Sequence, residues 1–276
     1  MSTLSRRGVA VDVAGLVFVP AALVAIFLFV PRSVQWSMAF DHGDPRASAL
    51  LTAAYVHATP LHLYSNVVAY VVAAGFSHWL SLASDGRDWF WRTVPVFLVV
   101  LPVLVNLTDW LVFAVWYPGW ELRALGFSGV AAGFGGMLLV ALARFVGRRF
   151  DSALGRAVGG AAFLLALQVA ALRYGGGAAP YVTGLAAGGL LALGWWYASR
   201  RARPVVARPL PRETVQSGAV VVLILFVLAA VVLALFPRPD AAARGGVLTG
   251  VVAHAAGFAW GTALSLATGR LAGDEP

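Results

Sequence analysis

Apolar runs of about 20 residues recur along the chain, separated by short stretches rich in Arg, Gly and Pro. A hydrocarbon layer roughly 30 Å thick takes about 20 helical residues to cross, so each run predicts a transmembrane helix. Eight such spans are read, at about 10–30, 60–83, 93–116, 127–146, 156–173, 180–198, 215–236 and 247–268. Thr59-Pro60 gives the second span its start, an N-cap followed by proline in the first helical position. Residues 31–59, with Asp41, His42, Asp44 and Pro45, are too polar to cross and form a first outer loop. Residues 199–213 form a cytoplasmic linker, with five Arg and three Pro between Arg200 and Arg212. Gly175-Gly176-Gly177 separates two short Ala/Gly-rich runs, both taken as crossings. The expected fold class is an all-α polytopic membrane protein of about eight helices, one transmembrane domain over residues 1–276.

Composition supports the class. The chain is 60% hydrophobic and 12% charged, with a mean hydropathy of +0.82. Soluble domains carry about 25% charged residues. Ser2–Arg7 is basic, but Val9–Val30 is longer than a signal-peptide core and lacks a small-residue cleavage site before Pro31, so the first run is expected to stay as a helix. The net charge of +8 comes with 20 basic residues, all Arg. With the N-terminus inside, fourteen fall in cytoplasmic segments (Arg6, Arg7, Arg87, Arg92, Arg144, Arg148, Arg149, Arg156, Arg200, Arg201, Arg203, Arg208, Arg212, Arg270). Six fall outside: Arg32, Arg46, Arg123, Arg173, Arg238 and Arg244. That bias sets topology, with both termini cytoplasmic, and removes nucleic acid as the reason for the charge. Trp36, Trp116 and Trp120 fall at the outer interface, and Trp79, Trp89, Trp91, Trp195 and Trp196 at the inner one. Cysteine is absent, which excludes disulfides, thiol nucleophiles and thiolate metal sites.

Ionisable groups inside spans are costly and mark functional candidates. Those read here are His62, Asp109 and His254, with His57 just outside the second span at the loop end and Asn66 as a polar neighbour; His42 and His78 are taken as solvated or interfacial, and Asp109 as a structural contact to a neighbouring helix. His62 and Asn66 are i and i+4, one face of the second span. Ser128 opens the fourth span, where free N–H groups and the helix dipole favour negative charge. Spans 2, 4 and 8 run the same way, so His62, Asn66, Ser128 and His254 share one depth. Gly126, Gly129 and Gly133 line span 4, and Gly257 and Gly261 make a small-xxx-small stripe on span 8. Such stripes let helices approach closely, which brings His254 within reach of Ser128. His254 then acts as general base and Ser128 as nucleophile on a peptide carbonyl. The Ser128 N–H, His62 and Asn66 are donors for the oxyanion. A Ser–Lys dyad is excluded by the absence of Lys, a zinc protease by the absence of His-Glu-x-x-His. A paired-aspartate site is excluded because Asp109 is read as a lone intramembrane acid. No metal and no cofactor are expected.

The motifs Gly-x-Ser-Gly at 126–129, His-x4-His-x3-Asn at 57, 62 and 66, and Ala-His-x2-Gly-x3-Gly at 253–261 resemble the rhomboid family of intramembrane serine proteases. The resemblance implies a rhomboid-like bundle, a six-helix core plus two, in which Ser128 is the nucleophile and His254 the base. His62 and Asn66 would stabilise the oxyanion, His57 would be structural, and Gly126, Gly129, Gly257 and Gly261 would support the site. It implies cleavage of membrane-anchored protein substrates in the cell membrane without a cofactor. Two spans from the fifth to the seventh are then additions. Trp36 is followed by Ser37 where the family commonly has Trp-Arg, and Ala132 stands where many members stack an aromatic on the base. The other reading is a rhomboid-like scaffold that binds transmembrane helices without cutting them; the oligomeric state is left open.

Overall fold

In a computed structural model, residues 5–116, 123–174, 179–200, 211–235 and 248–270 are described. Ten α-helices occur among them. The long ones are α1 (Arg6–Phe29), α4 (Pro60–Ala83), α5 (Arg87–Trp116), α6 (Ser128–Arg149), α7 (Ser152–Tyr174), α8 (Ala179–Arg200), α9 (Arg212–Leu235) and α10 (Leu248–Arg270). All except α8 are long and apolar enough to cross a bilayer, so the chain is a multi-pass membrane protein. Helix α8 has the length, but Gly184, Gly188, Gly189, Gly194 and the cluster Trp195-Trp196-Tyr197 lower its hydropathy. The Gly175–Gly177 break, Trp120 and the middle of the 199–213 linker lie outside the described residues.

Contacts at several levels fix the helix directions. Helix α6 meets α5 through Gly129–Val105 and Gly133–Leu101, so the two are antiparallel. It meets α10 through Gly129–Ala253, Gly133–Gly257 and Gly136–Phe258, so these are parallel. It also runs parallel to α4, whose His62 and Asn66 touch Gly126 and whose Ala83 carbonyl accepts from Arg149. Helix α9 runs antiparallel to α6, its last residue Leu235 reaching His254 near the start of α10, and α7 and α8 form a hairpin in which Gln168 donates to Thr183. The eight long helices therefore alternate in direction.

Helix α6 is the axis. Phe134, Met137 and Leu138 on it are fully buried. Its crossing with α10 is glycine-dependent: a β-carbon on Gly257 would collide with the Gly129 carbonyl oxygen, and one on Gly261 with that of Gly133. Here backbone packs on backbone, which small residues permit in lipid.

The outer loop is structured. It folds into α2 (Arg32–Met38), strand β1 (Phe40–Asp41), α3 (Ala47–Thr52) and a 3₁₀ turn (Ala53–Tyr55). β1 pairs antiparallel with β2 (Arg123–Ala124), Phe40 opposite Ala124, directly before the Ser128 turn. Pro102 inside α5 lacks an N–H and frees the carbonyl four residues earlier. That carbonyl, of Leu98, accepts the buried Tyr55 hydroxyl, whose pKa burial raises to about 12. As expected, the Thr59 hydroxyl caps α4 by accepting from His62 N at 3.1 Å.

Several polar assignments need correction. His42 is not solvated: its side chain is 3% exposed and its Nε2 lies 3.0 Å from Asp109 Oδ2, so Asp109 bonds the outer loop rather than a neighbouring helix. His78 is buried too, with Nε2 3.0 Å from Asp12 Oδ2. Asp12, overlooked as an intramembrane acid, also accepts from Arg87 Nε and Trp91 Nε1, both at 2.9 Å, which ties α1 to α4 and α5. Asp12 and Asp109 still make no carboxylate pair: Trp91 and Asp109 are 18 residues apart on α5, about 27 Å along the axis. Arg144 is buried against the Trp89 ring at 4.9 Å instead of lying in a loop, and Trp89 is buried, donating to the Ser265 carbonyl.

Gly261→Val forces the backbones of α6 and α10 apart and is expected to lower the thermal unfolding midpoint in detergent by several degrees, overpacking costing about 1–3 kcal/mol. Gly184→Ala, with nothing within 4 Å of its added β-carbon, is expected to leave the midpoint unchanged or raise it.

Candidate active site

The turn before α6 is shaped by backbone constraint. Gly126 has φ +117°, a region disfavoured for residues with a β-carbon. Its N–H donates to the Ala53 carbonyl at 2.9 Å, which fastens the turn to the outer loop. The next N–H, of Phe127, donates to His57 Nε2 at 3.3 Å. His57 is held in turn by Arg32, which donates to its carbonyl at 2.8 Å. Phe127 is fully buried with its ring against Tyr55 and Tyr70. Ser128 then begins α6, and the first intrahelical bond runs from Ala131 N to Phe127 O. The N–H groups of the first turn have no partner within the helix.

His62 and Asn66 reach this turn from α4. A β-carbon built on Gly126 would lie 2.6 Å from His62 Nε2 and 3.3 Å from Asn66 Nδ2. The His57 and His62 rings meet edge to face at 5.2 Å. Asn66 is buried, and its Nδ2 has no hydrogen-bond partner among the described residues. An unsatisfied buried donor costs about 1–3 kcal/mol. Asn66 lies against Gly126, two residues before Ser128.

His254 comes from α10, one residue after Ala253, whose carbonyl packs on Gly129. Its Nδ1 lies 2.5 Å from the Leu235 carbonyl at the end of α9. A carbonyl only accepts, so Nδ1 carries the hydrogen and Nε2 the lone pair. Ser128, with Gly126, Gly129 and Ala253, lines a cleft of about 50 Å³, room for roughly three waters. The Ser128 hydroxyl makes no hydrogen bond to a described residue. Catalytic bonds in unliganded sites are often long and tighten only when substrate binds.

The structure thus collects Gly126, Ser128, Gly129, His57, His62, Asn66, Ala253 and Gly257 around one turn. Gly261 lies one helical turn deeper. The missing aromatic at 132 has a steric reason. Ala132 is fully buried, and a β-carbon on Gly257 would lie 3.2 Å from its Cβ, so α10 fills the space a ring would need. The group that orients His254 is instead a main-chain carbonyl, which leaves no trace in residue identity. Among the described residues no cluster of three or more His, Asp or Glu could hold a metal ion.

Compared with the models of known protein families, with curated proteins and with solved structures, the chain finds no match.

Burial, with His62 beside it, pushes His57 down to about 3 from its ordinary 6.5. The unfolded chain binds a proton below pH 6.5 that the folded protein refuses until about pH 3, so stability falls as pH drops through that window. The slope is about 1.4 kcal/mol per pH unit. Unfolding midpoints in detergent between pH 7 and 4 should show it, and His57→Gln should make the fall shallower.

Proposed function

We propose that the chain is an intramembrane serine endopeptidase that cleaves membrane-anchored protein substrates in the cell membrane. This is the activity implied by its resemblance to the rhomboid family. The observation that carries the reading is the commitment of His254 Nδ1 to the Leu235 carbonyl. It leaves Nε2 as the basic nitrogen on the helix packed against the serine turn. In the reaction the Ser128 Oγ–H proton passes to His254 Nε2 as Oγ attacks the scissile carbonyl carbon. The tetrahedral oxyanion accepts from the Ser128 N–H, Asn66 Nδ2 and His62. The imidazolium then gives its proton to the leaving amine, the C–N bond breaks, and water hydrolyses the acyl-enzyme by the same steps. His57 positions the turn through Phe127 N and stays neutral, so it does not compete for the proton.

The helix inventory fits a six-helix core with an added pair. Helix α9 packs on α4 and α6 and supplies the carbonyl that holds His254, so we assign it to the core. The α7–α8 hairpin is then the addition, giving eight crossings, with both termini cytoplasmic by the arginine bias. A second reading, a scaffold that binds transmembrane helices without cutting them, is favoured by one observation: the Ser128 hydroxyl is not hydrogen-bonded to His254 in this state.

Purified protein in liposomes with a transmembrane reporter separates the readings. Ser128→Ala and His254→Ala are each expected to abolish cleavage. Asn66→Ala is expected to lower kcat about 10²-fold, as loss of one oxyanion donor does elsewhere. Cleavage that survives in either dyad variant contradicts the protease reading; no cleavage by the unaltered protein supports the scaffold.

A further inference from the structure

At the end of the bundle opposite the serine, α6, α7 and α10 part around an apolar cavity of about 370 Å³. Residue 143 on its wall is 15 residues from Ser128, about 22 Å along α6, so it is separate from the cleft. Gly155, Gly159 and Gly160 line it from α7; Gly155 and Gly159 let α7 approach α6 closely at Ala143 beside it. Phe163, stacked on Phe258 at a centroid distance of 6.1 Å, closes its deep end. From Ser152 to Phe163 the wall extends about 17 Å. It is a slot as long as a good part of an acyl chain, within the size range of small-molecule sites.

The rim is cationic. Arg144 and Arg156 line the cavity. Arg156 is exposed, with its guanidinium over the Trp196 ring at 5.8 Å, and Arg200 lies over the same ring at 4.7 Å. Asp151, next to the cavity-lining Ser152, caps α7 with its carboxylate, accepting from Ala153 N and Leu154 N, each at 3.2 Å. An apolar slot between spanning helices is reached from the bilayer, and a cationic mouth selects among lipids by headgroup charge.

We propose that this cavity is a binding site for one anionic phospholipid of the bilayer, its acyl chain along Gly155–Phe163 and its phosphate at Arg156. Neighbouring bilayer lipids of either charge touch the rest of the surface; this site holds one and prefers the anion. The inference does not depend on the protease reading, since it uses none of the same residues.

Native mass spectrometry of the full-length protein in detergent, offered equal dioleoylphosphatidylglycerol and dioleoylphosphatidylcholine, tests it. One phosphatidylglycerol is expected to be retained in preference to phosphatidylcholine. Arg156→Gln is expected to weaken that retention roughly fivefold, while Arg148→Gln, which removes the same charge at the same end outside the cavity, leaves it unchanged. Glycerol 3-phosphate, which lacks the chains, is expected not to compete. Equal retention of the two lipids, equal effects of the two substitutions, or displacement by glycerol 3-phosphate would each overturn the proposal. So would binding that emerges only after deletion of residues 271–276, because the acidic tail would then be the occupant.

Discussion

The contact on which everything else hangs is the backbone crossing of α6 and α10, with Gly257 on the Gly129 carbonyl and Gly261 on that of Gly133. In lipid no hydrophobic force drives two apolar helices together; close packing and polar contacts do that work. Glycine at these positions brings the main chains into contact. The first turn of α6 and the first turns of α10 are thereby held level, and Gly129 and Ala253, each one residue from the serine and the histidine respectively, come into contact. The same closeness leaves no volume for an aromatic at position 132, and a different group, a main-chain carbonyl, holds the His254 ring. The end of α9 supplies it.

The outer loop completes the geometry from the other side. Ala53 O takes the Gly126 N–H and His57 takes the Phe127 N–H. Tyr55 fixes that loop to the carbonyl that Pro102 leaves open on α5, and His42 fixes it to Asp109. These bonds converge on a turn whose φ only glycine tolerates well. A loop that looks merely polar in sequence is therefore the clamp that sets the angle at which Ser128 enters its helix.

Much of this was legible in the chain. Each of the eight apolar runs coincides with a long helix among the described residues, seven of them apolar enough to cross a bilayer, and α4 starts at the residue its Thr-Pro signal predicts. Helix α5 begins six residues before the expected 93, where Arg87 pairs with the Asp12 carboxylate. Gly126, Gly129, Gly257 and Gly261 could be read as packing residues because their spacing matches a helix face. The polar partnerships could not. Asp12 with His78 and His42 with Asp109 join residues 66 and 67 positions apart, and nothing local marks an exposed-looking histidine as buried. The Leu235 carbonyl was beyond reach in principle, since every residue has one. The slot between α6, α7 and α10 also hid, because its glycines matched an unremarkable Ala/Gly composition.

The central claim is that Ser128 is activated by His254 across the glycine crossing, and an active-site-directed fluorophosphonate tests it in the intact protein in bilayers. Peptide mapping is expected to find the adduct at Ser128, and His254→Ala is expected to remove it while the protein keeps its unfolding midpoint. No adduct at Ser128, or one formed equally well without His254, would contradict the account.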